Sequence, residues 1–319
     1  MIDVVALGEL LIDFTCTQAD AEGYPTMQAH PGGAPANFLA ALSRFGCKTA
    51  MLGKVGNDAF GAMLTATLQQ RGIGTQGLVH DDQVFTTLAF VTLDATGNRS
   101  FSFARKPGAD TCIRFEELDL SLIDRCRVFH FGTLSLTDEP ARSATCQAVD
   151  YARNAGKLIT FDPNLRKPLW ADLSQAKQQM LWGLSRADVV KISDEEVEFL
   201  FGLNPADGAQ YILDHFGVQL VFVTCGPQGC YFQNRLCSGW VPSLSGICVV
   251  DTTGAGDIFG GSAVYGILRE NTAPDQLTQT QLHNIVRFAC AAAGLSTTKP
   301  GGISSVPNYS DVAEAIKTV

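Results

Sequence analysis

No Cys-x-x-Cys pair occurs in this chain, although ten cysteines (Cys16, Cys47, Cys112, Cys126, Cys146, Cys225, Cys230, Cys237, Cys248 and Cys290) are spread through its 319 residues. Zinc spacing is therefore missing, a disulfide scaffold would be out of place in a chain this long, and reduced thiols are expected. The five histidines show no ligand spacing either. Basic residues are in deficit, 23 Lys and Arg against 32 Asp and Glu for a net charge of −9. That balance argues against nucleic acid or an anionic membrane as partner, while allowing an anionic ligand in a local pocket. No apolar run reaches membrane-spanning length, and no basic segment precedes the strand-like residues Val4 to Leu7, so a cytoplasmic location is expected. A Gly-x-Gly-x-x-Gly after the first strand is lacking, which disfavours a dinucleotide oxidoreductase. Gly53-Lys54 lacks the flanking residues of a P-loop, and Lys54 reads as structural. Repeats, low-complexity tracts and long linkers are absent too.

What the chain does hold is a run of small residues, Asp251-Thr252-Thr253-Gly254-Ala255-Gly256-Asp257, leading into the apolar stretch 258–268. The pattern predicts a loop that opens a helix. Gly254, Ala255 and Gly256 would leave backbone N–H groups uncovered at that N-terminus, where unpaired donors and the helix dipole attract an anion such as a phosphoryl group. Asp257, in the first turn, would set a carboxylate beside that anion. Phosphoryl transfer explains such a pairing, with the carboxylate orienting and deprotonating a hydroxyl while the amides stabilise the transferred group. The competing structural reading is a glycine turn followed by an Asp that merely caps a helix.

Elsewhere strand and helix patterns alternate. Strand-like segments at 128–132, 158–162, 189–192 and 220–224, with helical patterns at 140–154 and 284–295, predict a mostly parallel sheet covered by helices on both faces. Period-two segments at 87–94 and 99–105, about a turn at 95–98, predict a hairpin. With 10–17 and 24–30 it would form a small, mostly antiparallel sheet apart from that core. Asp13 interrupts an apolar run, and read alone it is an exposed strand residue. Pro31-Gly32-Gly33-Ala34-Pro35 runs into a helix that stops at Gly46, and read alone it is an ordinary turn.

The Asp-Thr-x-Gly-Ala-Gly-Asp string resembles the signature of the PfkB, ribokinase-type carbohydrate kinases, and the likeness extends over nearly the whole chain. It implies a ribokinase-like three-layer α/β/α sandwich with a central, mostly parallel sheet and a small β-sheet lid. It also implies one domain over 1–319, with the lid built from roughly 10–31 and 85–110. Carried onto this sequence, Asp257 is the base, and Gly254, Ala255 and Gly256 form the anion hole. Asp13, after Gly8-Glu9, binds sugar hydroxyls, as do Gly32, Gly33 and Asn37. Ala34-Pro35 stands where ribokinases proper carry Lys, which looks like the fructokinase branch. Phe103 and Arg105, in Phe-x-Arg-x-Pro-x-Ala-Asp, face the sugar or the transferring phosphate; read alone, Arg105 is an exposed strand-end residue. Arg166, in Asp162-x-Asn164-x-Arg166, faces substrate and phosphates.

The nucleotide would lie along Lys191, Thr224, Gly226, Gly229 and Cys290, the last standing where relatives often have Asn. Glu196 would act through water on Mg²⁺, with Ser193 replacing the family's Asn. Asp251, Thr253 and Ser305 form a candidate monovalent-cation set for K⁺. The resemblance thus implies an ATP-dependent kinase of a small sugar, D-fructose first, phosphorylated at its terminal hydroxyl to fructose 6-phosphate, and a homodimer through the lid sheet. The alternatives are 2-keto-3-deoxygluconate, whose carboxylate Arg105 or Arg166 would meet, ribose, or a nucleoside. A non-catalytic sugar-binding regulator on the same fold is the rival from another class, and it has no use for a base at Asp257.

Overall fold

The computed structural model describes residues 1–93 and 99–317, so the expected turn at 95–98 lies outside the described residues. The first half runs β1 (Ile2–Leu7), β2 (Leu11–Ala19), β3 (Pro25–Gly32), α1 (Ala34–Arg44), β4 (Thr49–Gly56), α2 (Ala59–Gln70), β5 (Ile73–Asp81), β6 (Leu88–Leu93) and β7 (Arg99–Ala104). There follow α3 (Leu120–Arg125), β8 (Cys126–Gly132), α4 (Ala141–Asn154), β9 (Leu158–Asp162), α5 (Leu173–Leu184), β10 (Val189–Ser193), α6 (Asp194–Phe201) and α7 (Pro205–Phe216). The chain closes with β11 (Leu220–Thr224), β12 (Cys230–Asn234), β13 (Ser238–Val241), α8 (Ala255–Glu270), α9 (Gln279–Ser296) and α10 (Tyr309–Lys317).

The large sheet has the order β13-β12-β11-β10-β9-β8-β1-β4-β5, parallel except where β12 and β13 pair antiparallel at one edge. Its strands are apolar on both sides because both faces are covered. In β1, Val5 and Leu7 pack into a core shared with α4 and α5, whereas Val4 and Ala6 pack on the opposite side with α1 and α8. Period-two alternation thus sends successive side chains into two separate helix layers. The small sheet has the order β3-β2-β6-β7, with β2 and β6 parallel and the other pairs antiparallel. Ile12 and Phe14 of β2 join the α1 side of the main core, so the small sheet is rooted in the large unit.

Helix starts fall where caps are available. Asp58 accepts from the Phe60 and Gly61 amides and so begins α2 at residue 59. A capping box between Thr278 and Gln281 starts α9 at 279, earlier than its Ala-rich stretch announced. Among the described residues no helix is long and apolar enough to cross a membrane.

Candidate active site

The site is built at the opening of α8. Gly254 takes the N-cap position in the left-handed region, at φ 76°, and no side chain caps that end. A Cβ on Gly254 would lie 2.9 Å from the Gly302 Cα, so both the conformation and the contact call for glycine. Ala255 N donates back to the Thr252 carbonyl at 3.3 Å, and no side chain takes the amides that follow it, which are left to an external acceptor. Asp257, one turn in, is buried. Asn37 donates from Nδ2 to its Oδ2 at 2.9 Å, and Asn164 donates from Nδ2 to its Oδ1 at 3.0 Å. One donor comes from α1 and the other from the segment after β9, where Asn164 takes φ 45°. Two amides on separate oxygens fix the carboxylate plane and leave each oxygen a further lone pair for a hydroxyl. Burial raises the Asp257 pKa above the ordinary carboxylate value, while Asn37, Lys191, Arg166 and Asn164 work against the rise.

Lys191, the middle residue of β10, extends over the same turn. Its Nζ donates to Asp162 Oδ2 at 3.0 Å, and a Cβ on Gly256 would lie 3.0 Å from that Nζ. Burial pulls the ammonium pKa down, but Asp162, Glu196 and Asp257 outweigh it and hold Lys191 above its usual value. Backbone amides and a half-buried cation therefore converge on one spot, which suits a phosphoryl group.

Beside this spot opens a cavity of about 250 Å³ that Asp13, Gly33, Asn37, Phe103, Arg166 and Asp257 help to line. Burial pushes Asp13 up to about 7, with Arg166 lowering it and Asp257 and Asp251 raising it further. A Cβ on Gly32 would strike Asp13 Oδ2, so the glycine lets the carboxylate turn inward. Carboxylates, amides and one guanidinium around such a volume match a small polyol, which needs several acceptors and donors at short range.

The remaining expected residues lie elsewhere. Arg105 is buried rather than exposed and does not line the cavity: its Nε donates to Asp110, Nη1 to Thr137 Oγ1 and Nη2 to the Leu134 carbonyl. An Arg so committed has no fork left for a sugar or phosphate, and the expected clamp at Arg105 is corrected to a structural pin. Glu196 closes a capping box on Ser193 at the start of α6, and its other oxygen accepts from the Leu165 amide at 2.7 Å. Asp251 accepts from Thr253 N and Oγ1 and from the Gly301 amide, and Ser305 Oγ donates to the Gly302 carbonyl. Thr224 ends β11, and the turn from Gly226 to Gly229 follows, where a Cβ on Gly229 would strike the Val241 carbonyl. Cys290 is buried in the core against Phe259 and Ala289, and burial pushes its thiol up to about 12.

Two residues at the site escaped sequence reasoning. Asn164 sits in a motif whose weight fell on Arg166, although Asn in a short loop is the residue type that tolerates φ near 45°. Glu9 lines the cavity, and nothing in a lone acid after the first strand signalled that it would be buried.

An anion turn, an oriented carboxylate and a polyol-sized cavity, set on a ribokinase-like sandwich with a small separate sheet, define a sugar kinase, a phosphotransferase acting on an alcohol group. The chain belongs to the PfkB family of carbohydrate kinases, whose model matches residues 1–309. It is 41% identical over 320 residues to probable fructokinase-4 of Arabidopsis thaliana, covering 98% of this chain and 96% of that one. Fructokinase with bound ATP from Xylella fastidiosa superposes with a TM-score of 0.91 at 30% identity, covering 100% of this chain and 99% of that one. A double mutant of Vibrio cholerae O395 fructokinase, in fructose, ADP and potassium ion bound form, gives 0.86 at 30% identity, covering 99% and 98%.

Proposed function

We propose that this protein is an ATP-dependent fructokinase that transfers the γ-phosphoryl group to the terminal hydroxyl of D-fructose, giving fructose 6-phosphate. The observation that carries this reading is Asp257, buried and held by two amides where the uncapped start of α8 meets the cavity. The likeness to proteins named fructokinase supports fructose as the acceptor. Asp257 takes the hydroxyl proton as the oxygen attacks phosphorus. The Gly254, Ala255 and Gly256 amides and the Lys191 ammonium hold the charge that develops on the transferred group. Asp13, Asn37 and the backbone at Gly32 and Gly33 receive the sugar hydroxyls, Phe103 covers the sugar, and Arg166 faces both sugar and phosphate. Closure of the small sheet excludes water, which would otherwise take the phosphoryl group.

The nucleotide chain is assigned to Lys191, Thr224 and the Gly226 to Gly229 turn, with Cys290 in the wall behind. When bound, Mg²⁺ neutralises the β- and γ-oxygens; Glu196, whose carboxylate keeps lone pairs beyond its two backbone bonds, would hold one of its waters. Asp251, Thr253 and Ser305 supply hard oxygen donors on two loops tied by the Gly301 amide, a set that fits a K⁺ ion. The ten free thiols support a cytoplasmic location.

The test is ADP release from MgATP with fructose, ribose, 2-keto-3-deoxygluconate and inosine, each beside Asp257→Ala. Turnover on fructose that collapses in the variant is expected. Preference for another acceptor would move the substrate and keep the chemistry, whereas binding without turnover on any acceptor would make the protein a regulator.

A further inference from the structure

Glu9 lies in the short connection between β1 and β2, where the chain passes from the large sheet into the small one. Its side chain is buried, with 3% of the residue exposed, in a site otherwise organised to bind a sugar and a phosphate. A buried carboxylate is costly unless something receives it. Its Oε1 accepts from the Ala34 amide, the first N–H of α1, at 2.8 Å.

That helix cannot cap itself. Its N-cap is Gly33, at φ 115°, and a Cβ there would lie 2.5 Å from the Glu9 carbonyl, so no Ser, Thr or Asp fits the position. The next residue after Ala34 is Pro35, which has no N–H to offer. The cap must come from outside the helix, and Glu9 supplies both an acceptor and a negative charge at the positive end of α1.

α1 in turn carries Asn37, which donates to Asp257 Oδ2 at 2.9 Å. Asn37 Oδ1 is buried with no hydrogen-bond partner among the described residues. The Asn37 amide is therefore oriented by the placement of α1, by Asp257 and by the Gly254 and Gly302 backbones packed against it.

We propose that Glu9 is a positioning residue for phosphoryl transfer: by capping α1 from across the loop it sets where Asn37 holds Asp257. The assignment rests on Asp257 being the base. Glu9 passes no proton and touches no reacting atom in this scheme, and its effect reaches the chemistry through the first turn of α1.

A double-mutant cycle on fructose turnover tests this, with Glu9→Met, which keeps the volume and removes the acceptor, Asn37→Ala, and the pair together. Glu9→Met is expected to lower kcat about ten-fold and to raise KM for fructose by clearly less than that, because a small displacement of Asn37 costs more in the orientation of Asp257 than in its own contact with the sugar. Glu9→Gln, whose amide oxygen can still accept from Ala34, should recover most of that loss. The double variant should turn over no more slowly than Asn37→Ala alone. Losses that multiply, a loss in KM instead of kcat, or an Asn37→Ala protein with unchanged kcat each overturn the proposal. Should Glu9→Met fail to fold by thermal melt, the same cycle is run with Glu9→Ala, which also removes the acceptor, and read the same way. Full turnover by Asp257→Ala would instead remove the base assignment, so the two failures are distinguishable.

Discussion

Asp257 and Arg105 show how burial decides what a charged residue is for. Asp257 is buried against two amide donors that leave it lone pairs facing a cavity, whereas Arg105 is buried against acceptors that use up its donors. Asp257→Asn keeps the shape and removes the base, so kcat should fall by about 10² to 10⁴ while equilibrium binding of fructose changes little. Isothermal titration beside steady-state kinetics separates the two quantities. Arg105→Ala should behave in the opposite way. It leaves Asp110 buried without its cation, and unfolding free energy should drop by about 3 to 5 kcal/mol. A clear rise in KM for the sugar without loss of stability in denaturant titration would restore Arg105 to the substrate.

At the scale of the element, the site depends on where strands and helices stop. β3 ends at Gly32, and the absence of a Cβ there admits the Asp13 carboxylate from the neighbouring strand β2. Gly32→Ala should therefore raise KM for fructose about ten-fold or more, since the clash falls on the Asp13 carboxylate and turns it out of the cavity, with a smaller change in melting temperature. α8 starts on a left-handed Gly254 that touches Gly302. Gly254→Ala would cost about 1 to 2 kcal/mol in backbone strain alone, and its effect on kcat should exceed its effect on stability because the amide turn is displaced. Equal losses in the two would mean that the turn only serves to start the helix.

For the whole molecule, charge burial couples activity and stability to pH in opposite directions. Burial raises Glu9 from 4.5 to about 7 and Asp13 from 3.8 to about 7. Such groups bind protons more tightly folded than unfolded, so their contribution to stability is complete below the unfolded pKa and is lost as pH rises through the folded one. Asp81 works the other way: the Lys54 ion pair lowers its pKa, and its contribution disappears as the solution becomes strongly acidic. The melting temperature should accordingly rise as pH is lowered from 8 toward 5. Over the same range kcat/KM should fall, through about 7 where Asp13 takes up its proton and further as Asp257, raised by burial, does the same, because both must be ionised to accept sugar hydroxyls. A melting temperature that fell over that range would contradict the inferred burial of charge. Because β2 is rooted in the main core through Ile12 and Phe14, we further propose that residues 1–319 form one domain, which calorimetry would register as a single transition. The pairing of two copies through the small sheet is a second proposal, and molar mass in solution decides it.

Local physics is legible in residue order, and so it was here. Small residues before an apolar run announced the helix α8, period-two alternation announced β6 and β7, short apolar runs announced β1, β8, β9, β10 and β11, and the Asp251 to Asp257 string announced a glycine turn with a carboxylate in the first turn of its helix. None of that depends on distant contacts. What the linear chain could not express is convergence: Asn37 and Asn164 meet Asp257 across 220 and 93 residues. Lys191 meets Asp162 across 29 residues, and Glu9 reaches Ala34 across 25. Burial is likewise a property of the packed whole, which is why Arg105 could be placed at a strand end but not assigned to solvent, sugar or core. The sequence determined which chemistry each segment offers, because propensity and pattern act over a few neighbouring residues. Only the tertiary structure decided which offered groups face one another and which are used up in holding the fold, because desolvation and hydrogen-bond pairing depend on neighbours that the chain order does not name.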